Sequence, residues 1–222
     1  MHRRRPTLLT TLTLTAAATL TLSACGSDDD SAAEDSDKSA GADTGSEASA
    51  APSPSSSGTD TAGRPKITLP SDTKNVFEYE KTGDDAKDAA LADSTLSVNS
   101  VDEAIFEGST DTKALGFYNA ESALSDSITY ASGYINENHT WVGETRYFDY
   151  KVSLSGNLEA SVTYCSDESK SFIKDKKTGK VEDTPTTADS YVLYHAKLSK
   201  NTEGVWQTTD IASTRGSKEC QP

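Results

Sequence analysis

Five side chains of this 222-residue chain are considered first as candidate general acids or bases. They are His139, His195, Asp149, Asp167 and Asp210. A catalytic base needs a position in a cleft and neighbours that shift its pKa, so its placement decides whether it can serve. The elements that carry these residues therefore have to be interpreted before any role is assigned.

Both histidines lie where structural roles are expected. Apolar residues alternate with polar ones from Tyr191 to Leu198, which predicts a strand with His195 on its outward face. His139 follows Asn138 at the expected end of a helix, where a cation stabilises the negative end of the helix dipole. We therefore interpret the two as a surface residue and a helix cap.

The aspartates have similar interpretations. Asp149 and Asp210 alternate with apolar residues, so we expect both to face water. Asp167 follows Cys165 at a predicted turn, where we expect an Asx turn. The sequence contains no glycine-rich phosphate loop, no histidine and cysteine cluster with metal spacing, and no Gly-x-Ser-x-Gly motif. We predict no catalytic residue, no metal site and no cofactor.

The N-terminal residues have the pattern of a secretory signal. Three arginines, Arg3 to Arg5, precede an uncharged stretch from Leu8 to Ala24. Leu22-Ser23-Ala24-Cys25 resembles the bacterial lipobox, in which the cysteine is lipidated and becomes the first mature residue. We predict a lipoprotein signal peptide over residues 1–24 and a lipid on Cys25 that holds the protein at the extracytoplasmic face of the cell membrane. An ordinary cleaved signal that leaves Cys25 free is the alternative.

Residues 25–64 comprise Cys25 and an acidic segment of low complexity. Residues 26–64 contain no Leu, Ile, Val, Phe, Tyr or Trp, and nine acidic residues outnumber Lys38 and Arg64. Such a segment cannot bury enough apolar surface to offset its conformational entropy, so we predict a disordered tether. A coil of this length spans about 35 Å, enough to carry a domain away from the membrane into the wall layer.

Residues 65–222 have the length of a single domain that can bury a substantial core. They carry 16 basic and 26 acidic residues, a net charge of −10. Because an acidic domain repels polyanions, nucleic acid is not expected as a partner. We expect an envelope protein or a small ligand as partner, in addition to the membrane contact through the lipid.

The first half of the domain has helical patterns. An acidic first turn after Gly83 and a capping-box pattern at Ser100-Val-Asp-Glu103 predict one helix over residues 84–107, or two that meet near residues 95–99. A shorter helix is predicted over residues 112–118. In the next helix, which should end near residues 136–138, four apolar residues spaced four, three and four share one face. They are Leu124, Ile128, Ala131 and Ile135.

The second half changes to alternation with a period of two. Residues 148–154 and 158–164 flank Ser155-Gly-Asn157, which predicts a hairpin. A second turn at residues 176–179 joins short strands, and strands over residues 191–198 and 205–211 follow. Helices followed by an antiparallel meander predict an α+β fold, with helices packed on one sheet face. Val162, Tyr164 and Trp206 are expected in the core between them.

This order of elements resembles the NTF2-like (SnoaL-like, cystatin-like α+β) superfamily, in which N-terminal helices pack into the hollow of a curved antiparallel sheet. The motifs that carry the resemblance are Leu158-Glu-Ala-Ser-Val-Thr-Tyr-Cys165-Ser-Asp167, Lys177-Thr-Gly-Lys180, Gly204-Val-Trp206 and Glu219-Cys220. Within the superfamily the chain is similar to small lipid-anchored actinobacterial proteins. The resemblance covers about residues 84–220 and implies one NTF2-like cone over residues 65–222.

The two remaining cysteines fit this resemblance. With Cys25 lipidated, Cys165 and Cys220 are left to form a disulfide in an oxidising compartment. A bond that encloses a loop of this length stabilises a fold by about 4 kcal/mol in the chain-entropy model. A reactive thiol pair is the alternative, but no histidine lies beside either cysteine to activate it.

Two functional hypotheses follow. In the first, the domain is a non-catalytic binding or interaction module of the cell envelope. In the second, it is an enzyme on a small apolar metabolite, since steroid isomerases and polyketide cyclases of this superfamily place an acid or base inside the cone. A filled cone favours the first, and an apolar pocket with a buried, unpaired carboxylate or histidine favours the second. We favour the first hypothesis.

Overall fold

The computed structural model describes residues 63–222. The predicted signal peptide, the predicted lipidation site Cys25 and the predicted tether up to residue 62 lie outside the described residues. The described part folds into three α-helices, five strands and a one-turn 3-10 helix at Ala188–Ser190. In chain order these are β1 (Thr73–Phe77), α1 (Asp85–Glu107), α2 (Lys113–Tyr118), α3 (Glu121–Asn136), β2 (His139–Ser155), β3 (Glu159–Asp175), β4 (Tyr191–Lys200) and β5 (Trp206–Arg215).

The five strands form one sheet in the order β1-β2-β3-β4-β5. Strands β2 to β5 pair antiparallel, whereas β1 pairs parallel with β2. Helix α1 packs Ala90 and Leu91 against the face of the sheet that carries Val162, Tyr164 and Trp206. The predicted α+β fold class is confirmed: N-terminal helices pack on one face of a curved, mixed sheet in which β2 to β5 are antiparallel. The parallel edge strand β1 was not predicted.

Helix α1 is a single helix that does not break at residues 95–99. The Asp84 side chain caps it by accepting from the backbone N–H groups of Ala86 and Lys87, at 2.9 and 3.2 Å. Ser100 was predicted to cap a helix, but it lies inside α1, and its hydroxyl donates to the Ser97 carbonyl at 2.7 Å. Hydroxyls that bond to carbonyls of the preceding turn are satisfied within the helix, so the polar stretch does not end it.

Strand β3 runs through the predicted Cys-x-Asp turn without a break. The hydrogen bond of the predicted Asx turn is present, since Asp167 Oδ1 accepts from the Ser169 N–H at 3.0 Å, but the chain does not reverse direction there. It stays extended and bends by register shifts against β2 near Glu144/Arg146 and Phe148/Lys151. Such bulges bend a strand and increase its twist, so a local irregularity produces the curvature of the sheet. Asp149 lies in the second bulge with a φ of 54°.

Helix α3 contacts the rest of the domain through small residues. Its buried residues are Ala123, Ser127 and Ala131, spaced by four. Leu124 and Ile135 pack beside this line, but Ile128 is 37% exposed, so the prediction that it lies on the buried face is wrong. Small residues allow α3 to approach the rest of the domain closely and leave the larger Ile128 at the edge of this contact.

No helix in the described part of the chain is long and apolar enough to span a bilayer.

The predicted core face of the sheet is confirmed. Trp206 and Val162 are fully buried and Tyr164 nearly so. Cys165 is on the opposite face, where it forms the predicted disulfide with Cys220, with the two Cα atoms 5.5 Å apart. The bond fixes the C-terminal tail over Leu193, so both faces of the middle strands are covered.

The packed domain includes Arg64, which the sequence analysis assigned to the tether. The Arg64 guanidinium forms an ion pair with Asp93 of α1, and its Nη2 lies 3.2 Å from Asp93 Oδ2. The same carboxylate oxygen accepts the backbone N–H of Trp206 at 2.9 Å. Arg64 thereby links the start of the domain to α1 and β5, and the packed residues begin before Pro65.

Candidate functional site

The histidines singled out from the sequence lie far apart on the sheet. His195 is exposed on β4, as predicted, and its Nδ1 lies 3.2 Å from the hydroxyl of Thr163. His139 begins β2 rather than capping α3, and its Nδ1 lies 3.2 Å from Glu137 Oε2. The assignment of His139 as a helix cap is therefore wrong, because α3 has ended at Asn136.

The aspartates of the sequence analysis are also separate from one another. Asp210 accepts from Lys197 Nζ at 2.8 Å on the outside of the sheet, and this ion pair lowers its pKa. Asp149 is exposed. Asp167 accepts from the Ser169 N–H at 3.0 Å and lies 3.7 Å from Arg146 Nη2. The structure does not bring these side chains together into a site.

A row of tyrosines fills the base of the concave face. The rings of Tyr150, Tyr164 and Tyr194 stack across β2, β3 and β4, with successive centroids 5.0 Å apart and interplanar angles of 14°. Tyr79 continues the row at 5.4 Å from Tyr150. Rings at this separation are in contact, so no ligand fits between them.

A buried carboxylate that the sequence analysis missed lies beside this row. Asp102 projects from α1, and 8% of the residue is exposed. Its Oδ1 accepts from Trp141 Nε1 at 3.0 Å, and its Oδ2 accepts from Asn75 Nδ2 at 2.7 Å. Asn75 also donates to Asn99, so β1 and β2 are tied to α1 through one polar network.

The surroundings of Asp102 change its acidity. Burial raises the pKa of the carboxyl from 3.8 to about 6, although the hydrogen bonds from Asn75 and Trp141 oppose the rise. The negative charge of Glu168 raises it further. A carboxyl with this pKa changes its charge close to neutral pH, which is unusual for an aspartate.

The sequence did contain a signal for Asp102. Leu91, Val98, Asp102 and Ile105 follow one another at spacings of seven, four and three, which places them on one face of a helix. An aspartate in an otherwise apolar helical stripe indicates a buried polar residue with partners. Those partners, Asn75 and Trp141, lie far away in the sequence and could not be identified from it.

Further tyrosines and one ion pair lie near Tyr194 at the end of this row. We call this set the tyrosine cluster and define it by Tyr130, Tyr134, Tyr147, Tyr194, Glu168 and Arg215. Tyr130 is 54% exposed and lies within electrostatic range of Glu168, Tyr194 and Arg215. Arg215 Nη1 lies 2.7 Å from Glu168 Oε2, so the two side chains form an ion pair.

The tyrosines of the cluster respond to the carboxylates around them. Burial raises the pKa of Tyr134 and Tyr194, and the nearby charges of Glu168 and Asp102 raise both further. Burial and Asp102 have the same effect on Tyr147. The phenols are therefore neutral at physiological pH, and two carboxylates lie near uncharged aromatic rings.

A small opening lies at the bulge between β2 and β3 and has a volume of about 20 Å³. It is lined by Glu144, Arg146, Asp167, Ser169 and Lys170. This volume is enough for a single water molecule and far below the roughly 300–1,000 Å³ of a small-molecule site. Among residues 63–222, no group of three potential ligands is arranged to hold a metal ion.

Comparisons with known proteins identify neighbours of the domain at low similarity. Neither a family model nor a curated protein sequence matches the chain. A ketosteroid isomerase-like protein from Erwinia carotovora atroseptica is 15% identical, with a TM-score of 0.39 over 60% of this chain and 98% of that chain. The intermembrane space region of the chloroplast protein ARC6 is 10% identical, with a TM-score of 0.36 over 57% and 96%.

A putative ketosteroid isomerase from Shewanella frigidimarina is 12% identical, with a TM-score of 0.31 over 59% of this chain and 98% of that chain. Sequence identities and TM-scores as low as these say nothing about the activity of the domain. What the domain does has to be inferred from its own residues.

Proposed function

We propose that the protein is an extracytoplasmic lipoprotein, anchored through Cys25, whose NTF2-like domain is a non-catalytic binding module of the cell envelope. The lipobox pattern at Leu22–Cys25 and the acidic segment that follows support the anchor and the tether. The exposed Tyr130 of α3 and Arg215 of β5 are candidate contact residues of this module. Tyrosine and arginine are the residue types that most often dominate the energy of binding surfaces.

The hydrogen bonds that the Asp102 carboxylate already accepts favour a binding role over a catalytic one. Each of its oxygens already accepts a hydrogen bond from the domain, at 3.0 and 2.7 Å, and the stacked rings beside it leave no space for a substrate. A general base has to reach the proton that it abstracts within about 2.6–3.2 Å. Asp102 thus acts as a structural group that joins α1 to β1 and β2.

One observation favours the alternative, an isomerase-type or cyclase-type enzyme. The pKa of Asp102, about 6, is close to the value that suits proton transfer at neutral pH. If the stacked tyrosines separated, Asp102 would lie at the base of an aromatic pocket. Such an enzyme would abstract a proton next to a carbonyl group.

Hydrogen–deuterium exchange distinguishes the two functions without knowledge of the natural substrate. Small cyclic ketones are incubated with the protein in D₂O, and exchange at the carbon beside the carbonyl is followed by NMR. We expect the rate with the protein to equal the rate in buffer. Exchange that is accelerated by the wild type and lost in Asp102→Asn would contradict the binding role. Asp210→Asn, which removes an exposed carboxylate, is the matched control.

A further inference from the structure

We propose that the loop between β3 and β4 is an endoproteolytic processing site, and that cleavage beside Asp183 gives a two-chain domain held together by the Cys165–Cys220 disulfide. The partner is an endopeptidase that cuts after acidic residues. This inference goes beyond the proposed function and does not depend on it. Three features of the structure carry it: the exposure of the loop, the lack of backbone hydrogen bonds at its centre, and the position of the disulfide.

The loop from β3 to β4 is the most accessible stretch of the described chain. Every residue from Lys176 to Asp189 is exposed, and no run of exposed residues within 63–222 is longer. Val181 is 45% exposed although it is apolar. Exposed loops of small and polar residues are preferred sites of proteolytic nicking, because such a loop can enter an active-site cleft while the strands beside it stay folded.

The centre of the loop makes no backbone hydrogen bonds to the rest of the described chain. The Glu182 N–H donates to the Ile173 carbonyl at 2.8 Å, and the Thr187 carbonyl accepts from the Ser190 N–H at 3.0 Å. Between these two points, residues 183–186 take part in none of the backbone hydrogen bonds of the described residues. An endopeptidase can therefore bind this segment without first opening hydrogen-bonded structure.

The residue types of the segment select the kind of endopeptidase. Glu182 and Asp183 supply acidic side chains at its start, and Pro185 keeps Thr184 in an extended conformation. Hydrolysis of the Asp183–Thr184 peptide bond consumes one water molecule. The water oxygen ends on the new α-carboxylate of Asp183, and the amide nitrogen leaves as the ammonium group of Thr184.

The lysines that precede this segment are less accessible to cleavage. Lys176, Lys177 and Lys180 belong to a hydrogen-bonded turn. The Gly179 N–H donates to the Asp175 carbonyl at 2.8 Å, and the Asp175 N–H donates to the Lys180 carbonyl at 2.9 Å. An enzyme that cuts after lysine has to open this turn first, so we expect it to act on the folded loop more slowly.

The disulfide is placed so that the cut does not separate the domain. Cys165 lies on the N-terminal side of the cut and Cys220 on the C-terminal side, and the two are bonded. The fragment that begins at Thr184 carries β4 and β5. Strand β4 keeps its antiparallel pairing with residues 159–167 of β3, which ends before the loop begins. The product is thus one folded domain of two chains with a covalent link between them.

A second exposed loop shows that exposure alone does not select the site. Residues 80–85 are exposed and include acidic side chains. Their backbone is held, however, because the Thr82 N–H donates to Asp88 Oδ1 at 2.7 Å and the Asp84 N–H donates to Thr82 Oγ1 at 3.1 Å. We expect this loop to be cut later than residues 182–184.

The first test is limited proteolysis of the full-length protein with trypsin and with an endopeptidase that cuts after acidic residues. Each rate is compared with the rate of the same enzyme on the unfolded, reduced chain. With the second enzyme, we expect a product that stays in one piece without reductant and releases a fragment from Asp183 or Thr184 to Pro222 with reductant. Cuts before residue 63 do not disturb this result, because the released fragment lies wholly C-terminal to them.

Three outcomes of this experiment would overturn the proposal. They are an earlier cut elsewhere within residues 63–222, trypsin cleavage of the loop at a higher relative rate, and separation of the pieces without reductant. Glu182→Gln combined with Asp183→Asn should abolish the cut, and Glu80→Gln, which changes the second exposed loop, is the matched control and should leave it unchanged. Persistence of the cut in the double variant would contradict an acidic cleavage site.

The second test examines the two-chain domain itself by thermal denaturation at several protein concentrations. With the disulfide intact, we expect a melting temperature within a few degrees of that of the uncut protein and independent of concentration. With reductant, unfolding also separates the two chains, so the melting temperature should fall on dilution. Loss of the fold on cutting, or a concentration dependence with the disulfide intact, would contradict the role given to the Cys165–Cys220 bond.

Discussion

Removal of Arg64 should destabilise the domain, although this residue belongs to a segment of tether-like composition. The Asp93 side chain is 3% exposed and accepts from Arg64 and from the Trp206 backbone. A chain that begins at Pro65 keeps the Trp206 contact but leaves the buried charge without its cation. The ion pair also raises the pKa of Arg64, which is consistent with a strong interaction.

The size of the effect follows from how deeply the pair is buried. Removing one partner of a fully buried ion pair costs about 3–5 kcal/mol. The Arg64 side chain is 22% exposed, so water can partly solvate Asp93 once Arg64 is gone. We expect a loss of about 1–3 kcal/mol for this reason. In a domain of this size that corresponds to a decrease in melting temperature of about 3–10 °C.

The assay is thermal and chemical denaturation of two shortened chains, one beginning at Gly63 and one at Pro65, together with full-length Arg64→Gln. Arg64→Gln combined with Asp93→Asn should recover part of the loss, because no buried charge is then left unpaired. Lys74→Gln, which breaks an exposed ion pair with Glu144, is the control and should cost less than about 1 kcal/mol. Equal melting temperatures for the two shortened chains would refute the reasoning.

Three further predictions concern the core, the disulfide and Asp102. Trp206→Ala should cost about 3–5 kcal/mol in chemical denaturation, because the ring is fully buried; a cost below about 1 kcal/mol would show that the packing is misjudged. Cys165→Ala with Cys220→Ala should lower stability by about 4 kcal/mol, and the wild-type tryptic map should join the two cysteine peptides; two free thiols would contradict this. Asp102 has a folded pKa of about 6 against an ordinary 3.8, so its contribution to stability is fully present below about pH 4 and is lost as the pH rises through 6. Asp102→Asn should remove this part of the pH dependence, and an NMR midpoint near 4 would contradict the burial argument.

Patterns among residues close together in the sequence predicted the parts of the fold that local sequence determines. Period-two alternation identified β4 and β5 and the inward direction of Trp206, because the core-facing residues along β4 and at the start of β5 are buried. The Asp84 cap and the end of α1 also depend on adjacent residues. The sequence predicted two strands where the structure has the single strand β3, because polar residues around Asp167 are typical of a turn. In the structure a bulge keeps the chain extended there.

The remaining features depend on contacts between distant residues. β1 is short, and Asn75 ties it to the domain through its bond to Asp102 on α1. Arg64 was assigned to the tether by composition, since nothing near it indicates that Asp93 is its partner. Likewise, the tyrosine cluster combines residues of α3, β2, β3, β4 and β5, and no spacing in the sequence indicates that Glu168 acts on Tyr130.

Metabolic labelling tests the central claim, that a lipid on Cys25 anchors a binding domain outside the cytoplasm. Cells that express the full-length protein are labelled with a palmitate analogue, and the labelled protein is followed through membrane and soluble fractions. We expect wild-type protein to carry the label and to sediment with membranes, and Cys25→Ser to lack the label and leave the membrane fraction. Equal labelling and equal membrane association of the two proteins would contradict the account.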